Sequence, residues 1–165
     1  MAQVADSGPF SLFDGIDRSL AVLEGEGLVL DGVGCGPVTL TRESEPLAFP
    51  ADVPVFGRLT DGPILDLNIM TRRGRYRHRL ERLDLGGEGR ESVIAPNETV
   101  ILLAMGGSLL VEWNEARPGE IVVQGSAAVF DGGLSLHIRP EPVMGSPVRA
   151  YLVTVAPVVP ATPVD

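Results

Sequence analysis

The chain reads as an all-β protein, a sandwich or closed barrel of short strands. Three observations predict this. Short apolar or alternating segments recur from end to end, each bounded by Gly, Pro, Asp or Asn. The 165 residues include 20 glycines and 14 prolines, so the chain turns often. No stretch keeps a helical apolar period over a window of about 11 residues.

Residues 18–23 and 28–30 flank Glu24-Gly25-Glu26-Gly27, a hairpin signal. Residues 38–42 are short and β-rich, and residues 47–49 and 53–60 follow. Asp61-Gly62-Pro63 marks a turn, after which residues 64–71 alternate. Leu65, Leu67 and Ile69 share one face there, and Ile64, Asp66, Asn68 and Met70 the other. Residues 76–85 alternate again. Residues 99–105 and 108–113 flank Gly106-Gly107, a second hairpin. Residues 121–123, 127–130, 134–138 and 148–155 complete the set, and residues 157–165 form an extended or disordered tail.

The two halves resemble each other. Residues 60–69 overlay residues 130–138 with one gap, which aligns Asn68 with His137. In each half a hairpin comes first, then a proline turn (Pro50-Ala51-Asp52; Pro118-Gly119-Glu120), then a strand, then Asp-Gly. Internal self-similarity of this kind predicts two copies of one β unit, hence two small barrels.

The formal net charge is -9, which disfavours general binding to nucleic acid or anionic membranes. All 13 basic residues are arginine, so Schiff-base chemistry and a lysine base are excluded. Cys35 stands alone in a glycine-rich turn, with no intramolecular disulfide open to it. The N-terminus has no basic region or apolar core of a signal peptide, and the apolar run 100–111 is too short for a bilayer. The expected compartment is the cytoplasm.

Most catalytic arrangements are missing. His78 and His137 are the only histidines, so a three-histidine metal site is excluded within one chain. No Gly-x-Ser-x-Gly motif and no phosphate-binding glycine loop occurs. The informative segment is 61–82. It sets Asp66 beside Asn68 and then carries six arginines, from Arg72 to Arg82. An inward-facing Asp66 would need Arg or amide donors; the plainer reading leaves Asp66 and Asn68 facing water. Arg75, Arg77 and Arg79 read as surface or structural groups, whereas Arg72 and Arg73, beside Asn68, suit an anionic ligand. Trp113 reads as a packing residue.

Gly8-Pro9-Phe10-Ser11-Leu12-Phe13-Asp14-Gly15-Ile16-Asp17-Arg18, with Glu24-Gly25-Glu26-Gly27 after it, resembles the HutD/Ves family of small bicupin proteins. The block Asp61-Gly62-Pro63, Asp66-Leu67-Asn68, Arg72-Arg73-Gly74 is similar to that family's other signature. The resemblance runs from about residue 8 to about 155. It implies a cupin-type double-stranded β-helix repeated twice: a single bicupin unit over 1–156, with a first barrel over 8–85 and a second over 86–156. It also marks a departure, because the family's N-terminal Asn-Gly-Gly-Gly segment has no counterpart here, which would leave a barrel edge uncovered.

The function implied is a non-catalytic regulatory protein linked to histidine utilisation that binds a small carboxylate, urocanate-like or a formylated amino acid. Arg18 is then the first choice for carboxylate contact, with Arg72 beside it and Asn68 and Asp66 orienting the ligand. No cofactor or metal is called for, and no nucleic-acid or membrane partner; a homodimer stays open. The alternatives are a metal-free cupin isomerase or lyase acting on a small acid, with His78 or Asp66 as base, or an oligomerisation module built on the arginine strand.

Overall fold

The computed structural model describes residues 1–113, 119–142 and 147–159. Pro118 of the second proline turn and residues 160–165 of the tail lie outside them. The described residues form strands and turns without a helix, so none is long and apolar enough to cross a membrane. The chain divides into two compact units, residues 1–78 with the segment from Val158, and residues 79–157.

The first unit holds β1 (Ala2–Val4), β2 (Gly8–Pro9), β3 (Ile16–Glu24), β4 (Leu28–Asp31), β5 (Val38–Leu40), β6 (Leu47–Pro50), β7 (Phe56–Leu59) and β8 (Ile64–Arg72). They form two four-stranded antiparallel sheets, ordered β1-β8-β3-β6 and β2-β7-β4-β5. Leu20, Val22, Phe49 and Ile64 of one sheet and Leu28, Leu30 and Leu40 of the other supply the core between them. At Gly27, φ is +122° and an added Cβ would lie 2.2 Å from the Leu40 carbonyl oxygen, so the β3–β4 hairpin requires glycine there.

The second unit holds β9 (Tyr76–Leu85), whose first residues belong to the first unit, then β10 (Arg90–Ile94), β11 (Thr99–Ala104) and β12 (Leu109–Glu112). It continues with β13 (Glu120–Val122), β14 (Ala127–Asp131), β15 (Leu134–Pro140) and β16 (Val148–Pro157). Its sheets are ordered β9-β16-β11-β14 and β10-β15-β12-β13. Adding eight to each strand number of the first unit gives the second. The architecture is the cupin-type double-stranded β-helix, twice over.

That repeat corrects the sequence overlay. Residues 60–69 lead into β8, whose counterpart is β16, whereas residues 130–138 lead into β15, the counterpart of β7. The two Asp-Gly turns are therefore not equivalent, and Asn68 has no relation to His137. Three strands escaped the pattern reading: β1, β2 and β10. The first two are very short, and β10 (Arg90-Glu91-Ser92-Val93-Ile94) carries too few apolar residues to stand out.

Candidate functional site

β3 and β8 are central neighbours, and their register fixes which side chains meet. Arg18 lies opposite Met70, Leu20 opposite Asn68, and Val22 opposite Asp66. Leu20 and Val22 belong to the core, so this face is the interior of the first unit. The expected alternation of residues 64–71 is present, and its polar-bearing face points inward. Asp66 is only 1% exposed and Arg18 only 5%, which overturns the plainer reading of Asp66 as a water-facing group. Arg18, Ser19 and Asp66 are the buried polar or charged residues among those described, and all three belong to the first unit.

Arg18 sits in an aromatic cage. Its guanidinium carbon lies 5.2 Å from the ring centre of Phe10, 5.6 Å from Phe13 and 5.8 Å from Phe49. Nη2 makes a long contact of 3.8 Å to the Met70 sulfur, and Nε is buried without a partner. Among the described residues no carboxylate lies within ion-pair distance of it. Burial therefore lowers the Arg18 pKa, with the more distant charge of Asp66 opposing. Met70 and Phe13 are 38% and 43% exposed and mark the side of the cage nearest water.

The cage depends on a glycine. An added Cβ at Gly57 would lie 2.8 Å from the Phe10 ring, so the missing side chain leaves the ring its seat. Phe10 also borders a cavity of about 180 Å³ lined with Val4, Leu28, Gly57 and Leu59.

Asp66 accepts a 2.8 Å hydrogen bond from Asn68 Nδ2. Burial raises its pKa; the Asn68 bond, the Ala2 amide, the terminal ammonium and Arg18 oppose this in decreasing order. With Nδ2 committed to Asp66, Asn68 Oδ1 is turned elsewhere, buried and unpartnered. Thus three of the four expected residues, Arg18, Asp66 and Asn68, share one interior face. Arg72 lies further along it, opposite Ile16, and is exposed at the strand end.

Arg73 does not join them. It bonds Asp17 at 2.7 Å and Asp52 at 2.8 Å on the surface, which corrects its expected ligand role. The expected uncovered edge is partly closed, because β1 pairs with β8 from Ile64 to Asp66. Beyond Asp66, no described strand pairs with that edge.

A second polar cluster went unseen in the sequence. His78 contacts Thr71 Oγ1 through Nδ1 at 2.6 Å and Ser19 Oγ through Nε2 at 3.0 Å. Burial lowers its pKa, with Asp17 opposing, so the ring is neutral near pH 7. Ser19, His78, Arg77 and Arg18 line an open groove of about 330 Å³. Arg77, read as a surface or structural group, is part of that groove's wall. The alternation of β3 and β9 could not reveal that these strands meet. In the second unit His137 bonds Glu91 on the surface, and Trp113 packs on Phe130 at 5.5 Å, in line with its expected packing role. Among the described residues no group of three or more His, Cys, Asp or Glu could hold a metal ion.

A double barrel with these interior groups is a small cupin-type protein. The chain belongs to the HutD family, whose model matches residues 1–142. It is 40% identical over 85 residues to Protein Ves of Citrobacter koseri, covering 51% of this chain and 44% of that relative. The matched part is thus about half of either protein. A conserved protein of unknown function, PA5104 from Pseudomonas aeruginosa PAO1, has a similar structure, with TM-score 0.79 and 26% identity over 95% of this chain and 80% of that one. HutD from Pseudomonas fluorescens SBW25 (formate condition) aligns with TM-score 0.74 and 27% identity over 95% of this chain and 77% of that one.

Proposed function

We propose that this protein is a HutD-like, non-catalytic regulatory protein that takes up a small carboxylate inside its first barrel and is linked to histidine utilisation, a reading that its membership of the HutD family supports. The observation that carries the reading is Arg18: a buried guanidinium with no carboxylate at contact distance among the described residues, and with Nε unpartnered. A buried cation is costly unless something meets its charge. The three phenylalanine ring centres lie 5.2 to 5.8 Å from its guanidinium carbon and offer no hydrogen-bond acceptor, so its N–H groups keep their demand for one, which a carboxylate meets bidentately. Arg72, at the exposed end of the same face, adds a second positive charge along the approach. The acids favoured are urocanate and formylated amino acids, and the regulation is indirect.

The test is a thermal-shift screen with formate, acetate, urocanate and N-formylglutamate. A ligand that binds only the folded state raises the melting temperature. Arg18→Ala should abolish the rise, and Arg58→Ala, at a surface pair with Asp31, should leave it intact. Equal loss in both variants, or no rise with any acid, defeats the reading. Turnover of an acid that disappears in Asp66→Ala would instead favour a metal-free isomerase or lyase.

A further inference from the structure

The polar atoms near Arg18 do not all ask for the same thing. Arg18 Nε is a buried donor without an acceptor, and Asn68 Oδ1 is a buried acceptor without a donor. They are diagonal neighbours on the interior face, since Arg18 lies opposite Met70 and Asn68 is two residues before Met70 on β8. A carboxylate has only acceptor oxygens, so it satisfies Arg18 and leaves Asn68 Oδ1 bare. The orientation of the Asn68 amide is set by Asp66: Nδ2 donates to the Asp66 carboxyl at 2.8 Å, and a flipped amide would lose that bond unless Asp66 held a proton to donate. Asp66 thereby holds Oδ1 in one orientation.

Resting on the carboxylate-binding reading above, we infer that the ligand carries an N–H or O–H donor beside its carboxylate, and that Asn68 Oδ1 selects for it. The ligand class is a small acid with one acceptor end and one donor end, such as an amide, azole or hydroxy acid. Acids with apolar or acceptor-only bodies are disfavoured. The physical basis is asymmetric. A buried site built for a hydrogen bond rejects the analogue that lacks it far more strongly than an apolar pocket rejects an added group.

The experiment uses isosteric pairs that differ only in the donor: pyrrole-2-carboxylate against furan-2-carboxylate, and pyrrole-3-carboxylate against furan-3-carboxylate. The second pair moves the donor further from the acid. Calorimetric titration of the whole protein should give at least about tenfold tighter binding for the pyrrole in one pair. Asn68→Leu, shown by thermal unfolding to be folded, should bring pyrrole and furan together. Where Asn68→Leu fails to fold, the wild-type ratio alone decides. Equal affinities within both pairs, still dependent on Arg18, would overturn the donor requirement, as when a water molecule fills the place, and leave carboxylate binding standing. If none of the four acids binds while an acid of the thermal-shift screen does, the donor requirement as stated falls and carboxylate binding stands; if those acids fail too, both readings fall.

Discussion

The two units share one strand plan and differ in what they place at its centre. In the first, the facing pairs of the two central strands are Arg18 with Met70, Leu20 with Asn68, and Val22 with Asp66. In the second they are Val100 with Thr154, Leu102 with Leu152, and Ala104 with Ala150. The second interior is a continuous apolar cluster that draws on seven of its strands, β9 to β12, β13, β15 and β16, with Phe130 of β14 completing it. The same strand order therefore closes around either filling. What the first unit gives up in apolar packing it holds as fixed polar groups, a trade that costs stability and makes sense where a ligand must be met.

The largest effect separates the two interiors directly. Leu152 is 2% exposed in the second core, and Leu152→Ala should cost about 2–5 kcal/mol through lost burial and the cavity left behind. Asn68, its partner-for-partner counterpart in the first unit, should cost less, about 1–3 kcal/mol, when replaced by alanine, because its loss leaves the buried Asp66 carboxyl short of a side-chain donor but removes no core side chain. Chemical denaturation of both variants checks the ratio. Equal losses would mean that the first interior is packed as tightly as the second.

Giving the first unit an interior like the second's is the converse test. The triple variant Arg18→Leu, Asp66→Ala, Asn68→Leu should gain about 1–4 kcal/mol, since apolar replacement of buried charges is often stabilising, while ligand shifts disappear. The gain should grow with pH. The folded-state pKa of Asp66 is raised chiefly by burial, so the fold prefers the neutral carboxyl. Below about pH 4 both folded and unfolded chains hold that proton, and nothing is lost. As pH rises, the unfolded chain releases it first, and wild-type stability falls until Asp66 ionises in the fold. The variant lacks that decline. A gap independent of pH between about 4 and 7 would show that Asp66 does not carry this cost.

These differences explain what could be read in the sequence. Strands with strong alternation or flanking turns, such as β3, β8 and β9, stood out, whereas β1 and β2 are too short to carry a period. Arg18, Asp66 and Asn68 were visible because alternation puts Asp66 and Asn68 on one face and the family motif marks Arg18. The cage was not visible. Phe10 and Phe13 precede β3 in the segment that also carries Arg18, but Phe49 comes from β6, and Met70 arrives through the β3–β8 register. Gly57, which seats Phe10, lies within the segment 53–60 read as a strand, where the sequence does not show which ring needs its space. The overlay of the halves failed because an Asp-Gly turn precedes both β8 and β15, and local turn chemistry carries no information about strand order. Arg73 differs from Arg72 because β8 ends at Arg72 and Arg73 enters the turn, where Asp17 and Asp52 take its guanidinium, partners that chain adjacency does not show.

Arg72's neighbour gives the smallest and most specific contrast. Arg73 is the surface opposite of Arg18: it bonds Asp17 and Asp52, and its hydrogen bond holds the Asp52 carboxyl below the usual carboxylate range. Its own pKa is raised by the same two partners, Asp52 first. All three side chains are substantially exposed, so solvent and salt screen them. Arg73→Ala should lower the melting temperature only slightly at low salt, and the difference should close near 1 M salt, where the screening length is about 3 Å. It should also close on acidification. The depressed Asp52 carboxyl contributes stability above its unfolded value near pH 3.9, and that contribution is lost as pH falls through its lower folded value. Arg18→Leu, at a buried site, should keep its effect at high salt. If salt erased both differences alike, the guanidinium of Arg18 would be as open to water as that of Arg73, and the interior site would not exist as described.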